Sequence, residues 1–72
     1  MPITNDDLKN WFTYHAPDER QREQYERIRD AARFFAEIVL DNTLPSADQS
    51  TAIRKIREAT MTANAAIACG GK

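Results

Sequence analysis

The sequence predicts an all-α fold, a short N-terminal helix followed by a long antiparallel αα-hairpin. Three observations carry that prediction. Apolar side chains recur at three- and four-residue steps over two long stretches, 18–41 and 47–69, the spacing that lines up one face of a helix. A helix-start signal stands before each helical segment. The break between the long stretches, NTLPSAD, is short, and a short connection makes neighbouring helices antiparallel.

The elements follow in order. Thr4-x-x-Asp7 resembles a capping box and predicts a helix over 5–11. The connector FTYHAP, Phe12–Pro17, comes next. Pro17 disfavours helix at Ala16 and suits a helix start. Asp18-x-x-Gln21 is a cap for the long helix 18–41, whose face carries Tyr25, Ile28, Ala32, Phe35 and Val39. Glu23–Arg27, Glu26–Arg29, Asp30–Arg33 and Arg33–Glu37 stand three or four apart, within reach of one another on a helix. Leu44–Pro45 breaks the helix, and Ser46-x-x-Gln49 reads as another capping box. The last helix, 47–69, carries Ile53, Ile56, Thr60, Ala63 and Ile67 in alternating steps of three and four, a heptad-like seam. Gly70–Gly71 ends it.

Length limits what this hairpin can do alone. With 72 residues the chain is a single helical-hairpin domain, 1–72. Domains this small rarely draw more than about 3–5 kcal/mol from one core and take help from disulfides, metals or self-association. Cys69 is the only cysteine and His15 the only histidine, so neither an intrachain disulfide nor a metal site is expected. Self-association is the helper left. Phe34, Phe35, Ile38, Val39 and the Ala-rich TANAAIA exceed what one helix pair needs. This surplus suits other subunits, or the short first helix covers it through Leu8, Trp11 and Phe12.

The same composition excludes several functions. A formal net charge of −1 lacks the basic excess of a duplex nucleic-acid binder. FFAEIVL, the longest apolar run, contains Glu37 and is too short to span a membrane. The N-terminus has no signal-peptide pattern, and the lone thiol suits a reducing compartment, so a cytoplasmic location is expected. No cofactor motif and no set of nucleophile, base and orienting group is present, so the chain reads as a non-enzyme. Cys69 reads as a small packing residue.

What remains points to anionic, base-bearing ligands. Seven of the ten basic residues are arginines, the residue suited to bidentate contact with phosphate. Arg29 and Arg33 stand one turn apart, and Arg54, Arg57, Met61 and Asn64 form a second stripe beside the isoleucine seam. Phe12, Tyr14 and His15 offer rings for stacking on a base. Two readings of the connector stay open: a ligand contact, or a hydrophobic plug in which Trp11, Phe12 and Tyr14 cover the hairpin end. Asn64 can read a base edge or bond across a subunit interface.

Three pieces in this order, FTYHAP, then YERIRDAAR, then IRKIREATMTANAAIACGG, resemble the phage anti-CBASS cyclic-oligonucleotide sponge family, from Phe12 to near the end of the chain. The resemblance implies a homohexamer of helical hairpins that binds cyclic di- and trinucleotide immune messengers, holds them uncleaved and so starves the host effector. It implies dinucleotide pockets made by more than one subunit, with separate sites for trinucleotides. By position it implies that Tyr14 stacks on a base, with His15 and Pro17 in the same connector. It puts the basic phosphate contact at Arg29 or Arg33, and Arg57 and Asn64 in the closing motif. The ligand-binding set is therefore Phe12, Tyr14, His15, Pro17, Arg29, Arg33, Arg57 and Asn64. A different class of function is also open: a small helical inhibitor or antitoxin that docks on a protein partner and takes no nucleotide.

Overall fold

A computed structural model describes residues 2–72, and they form three helices and no strand: α1 (Asn5–Trp11), α2 (Glu19–Asn42) and α3 (Ala47–Ala68). The all-α hairpin expected from the spacing is the fold observed. α2 begins and ends one residue later than the pattern predicts, and α3 stops one residue earlier. The cause at the start of α2 is local. Asp18 sits outside the helix with extended backbone and caps it.

Two of the three capping boxes close completely. The Thr4 hydroxyl accepts from the Asp7 amide at 3.2 Å, while the Asp7 carboxylate accepts from the Thr4 amide at 3.0 Å. Asp18 and Gln21 make the same exchange at 2.8 and 3.0 Å. The third box is only half formed. Ser46 accepts from the Gln49 amide at 3.1 Å, but the Gln49 side chain does not reach back to Ser46. Its Nε2 donates instead to the Thr43 carbonyl at 3.1 Å and to Thr43 Oγ1 at 3.0 Å. The reason lies in α2: its last carbonyls lack intrahelical partners, and Gln49 satisfies one of them across the turn.

The two long helices pack along a seam of half-buried side chains. α2 contributes Gln21, Tyr25, Ile28, Ala32 and Val39; α3 contributes Ala52, Ile56, Thr60, Ala63 and Ile67. Thr60 lies on this seam with its hydroxyl satisfied, donating to the Ile56 carbonyl at 2.8 Å. Pairing of Gln21 Nε2 with the Ile67 carbonyl, at 3.4 Å, sets the open end of the hairpin.

Among the described residues no side chain is fully buried. The accessible surface is 6310 Å², against about 4,500 Å² for a compact monomer of this mass. The radius of gyration is 15.3 Å, against about 11 Å for a compact domain of this length. One copy therefore leaves about 1,800 Å² more surface in water than a self-sufficient fold of its size. Phe34, Phe35, Ile38 and Leu40 all lie on α2 within that exposed surface. α1 does not cover it. That short helix packs at the other end of the hairpin, against the C-terminal turn.

Candidate functional site

Both long helices contribute to a row of guanidinium groups. An open groove of about 280 Å³ on one face of the hairpin is lined by Arg29, Arg33, Arg57 and Met61, floored by Ala32, Ala36, Ile53 and Ile56. Arg29 and Arg33 share a face because they are one turn apart on α2, and the antiparallel register brings Arg57 of α3 opposite them. Arg33, Ala36 and Ile53 also line an adjoining groove of about 480 Å³, which adds Arg54, Glu37 and Gln49. Four arginines thus border two adjoining grooves whose floors are apolar.

Little within the chain neutralises them. Among the described residues there is one ion pair, Arg33 Nε with Glu37 Oε1 at 3.0 Å, and both side chains are largely exposed. The other spacings that favour pairing, Glu23–Arg27, Glu26–Arg29 and Asp30–Arg33, do not form ion pairs. Exposed pairs of this kind gain little over hydration. Arg29, Arg54 and Arg57 keep their hydrogen-bonding forks uncommitted by carboxylates. The arrangement suits an anion with several oxygens, because planar forks meet phosphate oxygens in pairs.

The opposite groove of the same helices has another character. It is about 580 Å³ in volume and lined by Ile28, Phe35, Val39, Ile56, Ala59 and Ala63, with Lys55 at hand.

The connector forms a third feature. Phe12 and Tyr14 are each 83% exposed, so neither ring plugs the hairpin end in a single copy. His15 and Pro17 are half-buried beneath them. His15 Nε2 lies 2.7 Å from the Asn10 carbonyl. A carbonyl only accepts, so Nε2 is the donor in this bond. Thr13 Oγ1 donates to the Lys9 carbonyl.

The structure therefore collects the expected site residues into two groups. Arg29, Arg33 and Arg57 come together along one groove. Phe12, Tyr14, His15 and Pro17 stand at the open end, and none of them lines the arginine groove. Arg29 is ten residues into α2, about 15 Å along the helix axis from its start. Asn64 joins neither group. Its Oδ1 is buried and takes no hydrogen bond, an unmet polar atom of the kind that costs about 1–3 kcal/mol.

Sequence patterns did not reveal Asn10 or the C-terminal turn as partners of the connector. Asn10 Nδ2 donates to the Cys69 carbonyl at 3.3 Å, and Trp11 Nε1 to the Lys72 main-chain oxygen at 2.9 Å. These contacts join residues some sixty positions apart, which no local spacing signals. Gly70–Gly71 signalled the end of α3 and nothing more.

A family model described as Acb2/Tad1, hairpin domain, matches residues 4–68. That range holds α1, the connector, α2 and α3. The chain belongs to the Acb2/Tad1 hairpin-domain family. The resemblance seen in FTYHAP, YERIRDAAR and IRKIREATMTANAAIACGG is thus one of membership. The family is that of the anti-CBASS sponges, which bind cyclic oligonucleotides, and it is not a known enzyme family. No curated protein and no solved structure matches the chain. Cyclic oligonucleotides carry both phosphates and bases. No described helix is long and apolar enough to cross a membrane.

Proposed function

We propose that this hairpin is a phage anti-defence sponge. It binds cyclic di- and trinucleotide messengers in the cytoplasm of the infected bacterium and holds them uncleaved. Host CBASS effectors then meet too little free messenger to fire. Sequestration of this kind needs only affinity and abundance. A binder that holds the messenger more tightly than the effector, and outnumbers it, lowers the free concentration without any chemical step.

The observation that carries this reading is the face bordered by Arg29, Arg33, Arg54 and Arg57, three of them without carboxylate partners. Phosphates of the cyclic backbone lie against these forks, in charge-assisted hydrogen bonds. Tyr14 stacks on a base, a contact worth about 1–3 kcal/mol, with Phe12, His15 and Pro17 around it. Because the ring and the arginines stand apart in one copy, the complete site is built between copies. The apolar groove around Phe35 and Val39 is where copies pack. A homohexamer, as the family resemblance implies, meets both needs. Asn64 then serves where its unmet oxygen finds a donor, on a neighbouring subunit or a base.

Titration calorimetry against cyclic di-AMP, cyclic di-GMP, cyclic GMP–AMP and cyclic tri-AMP tests the proposal. The ligand is then released by heat and chromatographed. Tight binding, intact ligand and fewer than one dinucleotide site per chain are expected. Absence of heat with all four overturns it. A stoichiometric host protein captured by the hairpin, with nucleotides inert, would assign the apolar face to a protein partner instead. No retarded band is expected with duplex DNA at low salt.

A further inference from the structure

The last residues of the chain fold back on the connector. α3 ends in a Schellman turn: the Gly71 amide donates to the Ala66 carbonyl at 2.8 Å and the Gly70 amide to the Ile67 carbonyl at 3.3 Å. Both glycines have positive φ, +67° and +76°, which side-chain-bearing residues rarely adopt. The turn brings the Lys72 main-chain oxygen to the Trp11 indole N–H at 2.9 Å and the Cys69 carbonyl to Asn10 Nδ2 at 3.3 Å. The Asn10 carbonyl in turn accepts from His15 Nε2 at 2.7 Å and meets the Cys69 thiol at 3.9 Å. A chain of hydrogen bonds thus runs from the C-terminal turn, through the end of α1, to the residue beside Tyr14.

We infer that Gly70–Lys72 and Trp11 form a clasp that holds the connector so that Tyr14 is presented to the ligand. This rests on the reading that Tyr14 carries a base. Trp11 is a positioning residue here. Its side chain is bound at the hairpin end, whereas the Tyr14 ring stands 83% exposed with little of its own chain to fix it. A ring that moves freely with its connector must be ordered when ligand binds, and apparent affinity falls in proportion to the competent fraction. The turn residues 69–72 lie beyond the part of the chain that the family model matches.

The test is a double-mutant cycle read by calorimetry with cyclic di-AMP and cyclic GMP–AMP. Trp11→Phe keeps the ring and removes the N–H. Gly71→Val strains the turn from the other side. Each is expected to weaken binding about 5- to 20-fold if roughly a tenth of connectors remain competent, with elution volume unchanged. In a Tyr14→Ala background neither should weaken binding further, since the effect passes through that ring. Amide hydrogen exchange over 12–16, measured without nucleotide, should speed up in Trp11→Phe. Wild-type affinity in both clasp variants beside a weakened Tyr14→Ala overturns the clasp alone. An equal loss in the Tyr14→Ala background, or unchanged exchange, also overturns it. Full binding by Tyr14→Ala overturns the site reading and the clasp with it.

Discussion

The two faces of the hairpin are made by the same pair of helices, and they differ chiefly in the arginines that border one of them. One groove is lined by Ile28, Phe35, Val39, Ile56 and Ala63, the other by Arg29, Arg33, Arg57 and Met61. Ala32, Ile56 and Thr60 reach both, so little more than one layer of side chains separates the first groove from the one that arginines border. The contrast teaches a division of labour. Removing the apolar face from water releases the free energy that one thin hairpin lacks, at about 25 cal/mol per Å². The arginines of the other face resist such burial unless an anion comes with them, because uncompensated charge resists desolvation. One face is thus suited to other copies of the chain, and the other to a charged ligand.

The largest effect should come from charging the apolar face. Phe35→Glu loses a ring worth about 1.5–3 kcal/mol of burial and places a carboxylate where a dry contact is expected. Assembly should collapse toward the single chain, seen as a later elution and a lower mass by light scattering. Nucleotide binding should fall with it. A Phe35→Glu protein that elutes as the wild type would end the assignment of this face to self-association.

Next in size is Arg57→Ala, on the other face. Loss of one charge-assisted phosphate contact, about 1.5–3 kcal/mol, predicts a roughly 10- to 100-fold weaker Kd by calorimetry, with elution unchanged. Arg33→Ala should cost less, because that guanidinium already gives its Nε to Glu37. Equal losses at the two positions would mean that the ion pair opens in the complex.

Most of this contrast, but not its spatial arrangement, was readable in the residues. The caps join residues three apart and the stripes repeat every three or four, so the helices and the hairpin follow from neighbours close in sequence. Arg29 and Arg33 could be put on one face by the same rule. Bringing Arg57 to them depends on hairpin register, which alternation of Ile53, Ile56, Thr60, Ala63 and Ile67 constrains but does not state. Three features escaped local reasoning because each is set by a choice of partner across the fold. Gln49 binds Thr43 rather than closing its own box. Asn64 hides its oxygen. Asn10 and Trp11 bind residues some sixty positions away.

Salt should separate the two faces without any mutation. At about half-molar salt, charges are screened over roughly 4 Å or less rather than 10 Å. Nucleotide affinity should then drop severalfold, while the assembly, resting on apolar contact, should keep its elution volume. An assembly that dissociates in salt before the ligand does would show that charge holds the copies together, and the division between faces would be wrong.

The smallest expected effect is also the most specific. Glu37 is the acidic residue bordering the groove that Arg33 and Arg54 line, and its carboxylate holds Arg33 at 3.0 Å. An incoming phosphate must compete with it for that guanidinium and stand near its negative charge. Glu37→Gln removes the charge and keeps the shape and the helix. The pair is exposed, so its loss costs at most about 0.2–1 kcal/mol of stability. Calorimetry should find nucleotide binding roughly two- to fivefold tighter, a change of about 0.4–1 kcal/mol. The gain should disappear in an Arg33→Ala background, where there is no guanidinium left to release. Tighter binding in both backgrounds would mean that Glu37 acts by repulsion alone, and weaker binding would mean that it orients Arg33 for the phosphate instead of competing for it.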